Sequence, residues 1–373
     1  MMEKKNWMRS LTRWPLVALL LCLGLSSHSW ANDAAEPRFH ASILLYHHVS
    51  TSTPPSTSLS PRQFVEHLEM LERDGFEVWP LPRVIQHIQR RRPMPDRVAV
   101  LTFDDAYISV YENALPLMRE RNLPFTIFVN AQFIEDGRPL YMSWAQLREA
   151  QQAGGTIANH SLTHPYMVRR DGEETDAAWE ARMRAEIEDN QRILEERLGN
   201  VPRLFAYPYG EYTPELEAIV ASLGYVAFGQ HSGPASPFSR LTAIPRYAAN
   251  GVFANPATLR TKLHALPFPV VEDLPASDLV DGARPRPTWA FTMERGDYRL
   301  NQLRCYGPQS RLLNTDVERV GEGRVRVTVT DSIALNPGRS RFNCTAPHNS
   351  ENRYFWLSRQ WLVPRPDGSW ARQ

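Results

Sequence analysis

Two pairs of residues in this 373-residue chain have the types and spacing of a hydrolytic metal centre. Asp104 and Asp105 follow one another at the end of the apolar run AVLTF, and His160 and His164 stand four apart in HSLTH, just before Pro165. Two imidazoles at that spacing can face one ion, and a carboxylate from a different strand completes a three-ligand set. Three protein ligands with positions left open to water mark a catalytic rather than a structural site. A divalent ion there acidifies water and polarises a carbonyl oxygen. A carboxylate beside the ion then takes the water's proton, and a further group protonates the departing amine. Adjacent aspartates in a strand point to opposite faces, which favours one ligand and one base. Any one of the four alone would be a helix cap, a core residue or a surface residue. Their joint position at strand ends sets them apart.

The elements that must carry these residues alternate. SILLYH (42–47), RVAVLTFDD (97–105), PFTIFVN (124–130), TIANH (156–160), LFAYP (204–208) and YVAFG (225–229) have the composition of strands. Between them, helices are expected at 60–73, near 107–121, at 143–155, at 174–197 and at 213–224. Strand-then-helix repetition implies parallel strands joined by crossovers, buried on both faces and therefore continuously apolar. A barrel and a doubly wound sheet both satisfy this pattern. In either, sites form at the carboxyl ends of the strands, where all four residues lie.

After about residue 270 the pattern changes. Residues 271–288 are rich in proline and charge and are expected to be a linker. In RVRVTVTDSIAL, Val325, Val327 and Val329 alternate with polar residues, a period-2 strand. RYFWLSRQWLV (353–363) is a second β segment, so residues 289–373 are expected to form a small all-β, sandwich-like domain. At the other end, Lys4, Lys5, Arg9 and Arg13 precede the apolar run WPLVALLLCLGL, and Ser29-Trp30-Ala31 offers small residues at a cleavage point. Residues 1–31 are therefore expected to be a signal peptide, and the protein to be exported, periplasmic or secreted. Removing four basic residues and one acid shifts the formal charge from +1 to −2, so no nucleic-acid partner is expected. Cys305 and Cys344 then remain, and an even pair in an oxidising compartment is expected to form a disulfide.

At Thr102-Phe103-Asp104-Asp105 and His160-Ser161-Leu162-Thr163-His164 the chain resembles the polysaccharide deacetylase (NodB-homology) family, a carbohydrate esterase group. The resemblance covers roughly residues 40–250 and implies a distorted (β/α) barrel with fewer than eight strands, here within a domain spanning 38–270. It implies Asp104 as base and Asp105, His160 and His164 as metal ligands. A third motif stands as Tyr207-Pro208-Tyr209-Gly210, which would form a groove wall and bind substrate. Ala206 occupies the position where that motif carries an arginine, and Arg246 in IPRY is the candidate to replace it and a candidate to bind substrate. The family's acid motif, L-x-H, occurs as Leu45-Tyr46-His47 at the first strand rather than downstream. That permuted order resembles the branch acting on poly-β-1,6-N-acetylglucosamine and implies His47 as general acid.

The expected activity is metal-dependent removal of N-acetyl groups from an N-acetylglucosamine-containing polysaccharide, a biofilm exopolysaccharide first among them. The alternatives are an O-acetyl esterase, a peptidoglycan or chitin-type deacetylase, and a silent glycan-binding protein. Two imidazoles and a carboxylate suit zinc, and also accept cobalt, nickel or iron. The expected partner is the N-acetylated polysaccharide, and the C-terminal β domain is a candidate docking surface for an envelope protein.

Overall fold

The apolar runs become strands β1 (Ser42–Tyr46), β2 (Val98–Phe103), β3 (Phe125–Val129), β4 (Gly155–Asn159), β5 (Leu204–Ala206) and β6 (Val226–Phe228). They pair parallel, in that order. The computed structural model describes residues 38–370 apart from 281, 283, 322 and 331–333. The signal peptide expected at residues 1–31 lies outside the described residues. No helix among them is long and apolar enough to cross a membrane.

What separates a barrel from an open sheet is the segment 244–248. Ile244 bridges Phe228 of β6, while β7 (Tyr247–Ala248) pairs with the free side of β1 through Leu44↔Tyr247. One short stretch thus joins both ends of the sheet, giving a distorted barrel; the two-residue strand Glu77–Val78 adds to β2 off this circuit.

Helices α1 (Pro61–Arg73), α2 (Leu81–Gln89), α3 (Leu115–Glu120), α4 (Ala131–Glu135), α5 (Trp144–Gln152), α6 (Asp176–Leu198), α7 (Pro214–Ser222) and α8 (Pro256–Leu263) accompany the strands. The start of α1 shows why: the Ser60 side chain accepts from the Gln63 N–H and Gln63 answers with the Ser60 N–H, over Pro61 at the first position. Gly75, at φ 70°, ends it.

The C-terminal region is a sandwich of two four-stranded sheets. One contains β8 (Leu266–Pro267), β11 (Arg304–Tyr306), β14 (Gly338–Pro347) and β15 (Tyr354–Val363). The other contains β9 (Val270–Leu274), β10 (Thr288–Glu294), β12 (Asn314–Arg319) and β13 (Arg324–Thr330). Trp289, Phe291, Phe342 and Trp361 fill the interior beside the Cys305–Cys344 disulfide. The expected linker needs correction at its start, because 270–274 is an edge strand paired antiparallel with β10. Its residues are mostly exposed, so the apolar alternation that announces a strand is missing. The sandwich is also not a separate body: residues 36–373 form one compact unit. Arg353 of β15's approach donates to Asp96 and to the His264 carbonyl, both at 2.7 Å.

Two buried histidines, His40 and His231, make this unit acid-sensitive. Burial, then the Arg353 charge at His40 and the Arg240 charge at His231, pushes both down to about 3. Unfolded histidine titrates near 6.5, so the unfolded chain binds these protons first. Stability is complete above about pH 6.5 and declines as the pH falls toward 3. Between pH 7 and pH 5 each histidine should remove about 2 kcal/mol. Urea unfolding at the two pH values measures this, and equal midpoints would contradict it.

Candidate metal and catalytic site

Each singled-out residue emerges from the carboxyl edge of a strand. Asp104 and Asp105 follow β2, His160 follows β4, the turn 208–210 follows β5, His47 follows β1, and Arg246 lies in the closing segment. Asp105 Oδ1 is 3.3 Å from His160 Nε2 and 3.3 Å from His164 Nε2. The three ligand atoms all lie within 4.8 Å of one another and could hold a metal ion. They fit one: Asp105 Oδ1 is buried and has no hydrogen-bond partner among the described residues. His160 Nδ1 lies 2.7 Å from the Ala206 carbonyl, which fixes the proton on that nitrogen and leaves Nε2 facing the cluster. Burial would raise the Asp105 pKa, but the neighbouring His160 and His164 outweigh it and hold the carboxyl far below its usual range. Burial lowers His164 to about 4, so its imidazole is neutral, as a ligand must be.

The expectation that neighbouring aspartates face apart holds only inside a strand, and β2 stops at Phe103. Asp105 and Ala106 take φ of 71° and 55°, and this left-handed turn brings both carboxylates to one centre. Asp104 Oδ2 is 4.0 Å from His160 Nε2. Ser161, His164 and Tyr209 also carry left-handed φ of 66°, 57° and 58°. Such backbone persists only where its surroundings over-determine it, and α6 supplies that restraint. The Leu162 N–H donates to the Glu186 carbonyl at 2.9 Å, and the Thr163 hydroxyl donates to the Glu186 carboxylate at 2.7 Å. The Asn130 amide donates to the His160 and Ser161 carbonyls.

Arg246 is fully buried and donates both Nη atoms to Asp104, at 2.7 and 2.8 Å. Its Nε donates to the Gly229 carbonyl at 3.0 Å. A substrate-contacting role for Arg246 is therefore corrected: it has no surface to offer. Its guanidinium is spent instead on Asp104. Burial would raise the Asp104 pKa, but the Arg246 charge outweighs it and keeps the carboxyl below its usual range.

The third motif divides in the same way. Tyr207 is fully buried and donates to the Thr242 carbonyl at 2.9 Å, so its expected substrate role is corrected too. Pro208 and Gly210 are also buried; Gly210 has φ 71°, and a Cβ there would meet Gln230 at 2.5 Å. Only Tyr209 faces the groove, its ring 4.5 Å from that of His164 and stacked at 3.9 Å on Tyr166. His47 is half-buried, with a buried Nδ1 that has no hydrogen-bond partner among the described residues. It lies within electrostatic reach of Asp104, Asp105 and His164. Tyr107 and Tyr141 complete the opposite wall, stacked at 5.2 Å, with Tyr107 also stacked at 3.6 Å on His48. Neither stands in a pattern that single-sequence reasoning could have flagged, although Tyr107 lies two residues after Asp105.

Residues 91–228 match the polysaccharide deacetylase family. The poly-beta-1,6-N-acetyl-D-glucosamine N-deacetylase of Escherichia coli (strain K12) is 21% identical over 257 residues, covering 60% of this chain and 36% of that protein. The chain thus spans little more than a third of that relative's length. Among solved structures, Streptococcus pyogenes deacetylase PplD, in complex with acetate, has a TM-score of 0.55 at 23% identity. IcaB from Ammonifex degensii has a TM-score of 0.54 at 24% identity. Each is covered to 99% of its length by 61% of this chain, and so shares the barrel's fold.

Proposed function

We propose, from the polysaccharide deacetylase domain that this chain carries, that it hydrolyses the acetamide of N-acetylglucosamine residues in an exported polysaccharide. The observation that carries this reading is the buried Asp104–Arg246 pair beside the Asp105–His160–His164 cluster. A catalytically silent binder would have no use for a carboxylate held ionised at that position. Poly-β-1,6-N-acetylglucosamine is the substrate favoured by the E. coli relative's name and by the position of His47 just after β1.

Asp105, His160 and His164 would hold a divalent ion, with zinc favoured by two nitrogens and one carboxylate oxygen. When bound, the ion supplies Lewis acidity toward the amide carbonyl. The remaining work belongs to the chain. Both Asp104 oxygens accept from Arg246, and each carboxylate oxygen retains a second lone pair for a proton from the attacking water. Tyr209 and Tyr166 offer a stacked aromatic edge for the sugar. His47, its Nδ1 free of protein partners among the described residues, returns a proton to the departing amine. Export rests on the signal expected at residues 1–31.

The deciding experiment follows acetate release from β-1,6- and β-1,4-linked N-acetylglucosamine oligomers and from O-acetylated xylan oligomers. We expect release from the β-1,6 series, abolished by a chelator and restored by zinc. Release confined to the O-acetylated substrate would overturn the reading. Replacing His47 by Ala should lower turnover about 10²- to 10⁴-fold, the usual contribution of a positioned acid, with bound metal unchanged. Turnover at the parental rate would take His47 out of the mechanism.

A further inference from the structure

Beyond Tyr166 the aromatic edge runs into unbalanced positive charge. The Arg169 guanidinium lies over the Tyr166 ring at 3.3 Å, continuing the Tyr209–Tyr166 stack whose far end meets His164 edge to face. Trp370, from the C-terminal region, lies 5.1 Å from the same guanidinium. Strand β14 adds two more cations. Its alternate residues Phe342, Cys344 and Ala346 fill the sandwich, so Arg339, Arg341 and Asn343 face outward toward the barrel. The contact of Ser232 with Asn343 at 3.4 Å marks that direction. Arg339 lies within electrostatic reach of Glu211 and Tyr166, and Arg341 within reach of Arg339.

Neighbouring arginines have close carboxylate partners. Arg240 pairs with Glu217 at 3.0 Å, and Arg359 pairs with Asp273 and Asp278, both at 2.9 Å. Arg169 has only Glu211, at 3.8 Å, and neither Arg339 nor Arg341 forms an ion pair among the described residues. Arg169 Nε and Nη2, Arg339 Nη1 and Arg341 Nε are buried without hydrogen-bond partners among the described residues. Burial, then the Arg339 charge, pushes Arg341 down to about 10. Buried donors of this kind cost stability unless something accepts from them, and like charges at close range cost more. Arg169 keeps 16% of its side-chain exposure, which opens the cluster to the groove.

We propose that Arg169 and Arg339, one from the barrel and one from the sandwich, form a subsite for an anionic substituent, a carboxylate, on the sugar flanking the one being deacetylated. The inference rests on the proposed deacetylase reading and deepens it, because it gives the C-terminal domain a part in substrate choice. A flanking glucosamine, cationic once its acetyl group is gone, is disfavoured at the same place. Deacetylation of adjacent residues is then self-limiting.

The test uses β-1,6-linked trimers with a central N-acetylglucosamine. The two outer residues are both N-acetylated, both free amines, or both N-succinylated, which makes them neutral, cationic or anionic. Acetate from the central residue is read as kcat/KM, and binding is measured separately by calorimetry on the zinc-loaded full chain. We expect the N-succinyl trimer to exceed the free-amine trimer by about tenfold or more, as charge-assisted contacts in a partly buried site imply. Arg169→Gln and Arg339→Gln should each shrink that ratio, and Arg339→Lys should preserve most of it. A ratio near one in the parental protein, or one unchanged in both Gln variants, overturns the subsite while leaving the deacetylase reading intact. If no trimer releases acetate but calorimetry still shows the charge preference and its loss in the Gln variants, the subsite stands and the deacetylase reading fails.

Discussion

Replacing Arg246 by Met lowers acetate release about 100-fold and unfolding free energy by roughly 3–5 kcal/mol, the cost of stranding one member of a buried ion pair. Asp104 and Arg246 are both fully buried and joined by two hydrogen bonds. With the cation gone, the Asp104 carboxylate must stay charged without a partner or take up a proton, and a protonated Asp104 cannot act as base. The two losses can be separated. In Asp104→Asn/Arg246→Met the stranded charge disappears, so stability recovers in large part while turnover does not. Arg246→Lys should fall between, because an ammonium restores charge but not the two-pronged geometry. Urea unfolding and acetate release on the three variants measure this. A single Met variant with parental stability and turnover would refute the pairing's importance.

His164→Asn should abolish both metal binding and turnover. Asparagine tolerates the left-handed backbone that His164 adopts, so the loop keeps its path while the imidazole is lost. Loss of an outer partner of a ligand costs about 10–100-fold in metal affinity, and losing one of three ligands should cost well beyond that. The readout need not involve turnover. Zinc should raise the unfolding midpoint of the parental protein, because it binds only the folded form, and leave that of His164→Asn where it was. A variant still stabilised by zinc to the parental extent would remove His164 from the ligand set.

Much of this site was legible in the sequence because its residues sit in short contiguous motifs. Asp104-Asp105 and His160 through His164 are each local patterns at the end of an apolar run, and the fold brings them to one point. Arg246 was visible only as a candidate. Its partner lies 142 positions away, and nothing in IPRY distinguishes a buried guanidinium from a surface one. Tyr207 misled in the opposite sense, since a tyrosine in a groove motif can turn its ring inward and find a carbonyl. The strand β9 was missed because an exposed edge strand need not alternate. Arg339 and Arg341 were hidden among a strand's outward residues, whose surroundings are set by how the sandwich meets the barrel.

The closing segment 244–248 has a consequence for biosynthesis. When the first 243 residues have left the ribosome, His47, Asp104, Asp105, His160 and His164 are all present, yet the counter-charge of Asp104 is not. Only when the next few residues dock between β1 and β6 does the proposed base acquire its cation. Catalytic competence is thereby tied to completion of the barrel, and a chain cut short before residue 246 would carry every proposed ligand, base and acid without being an enzyme.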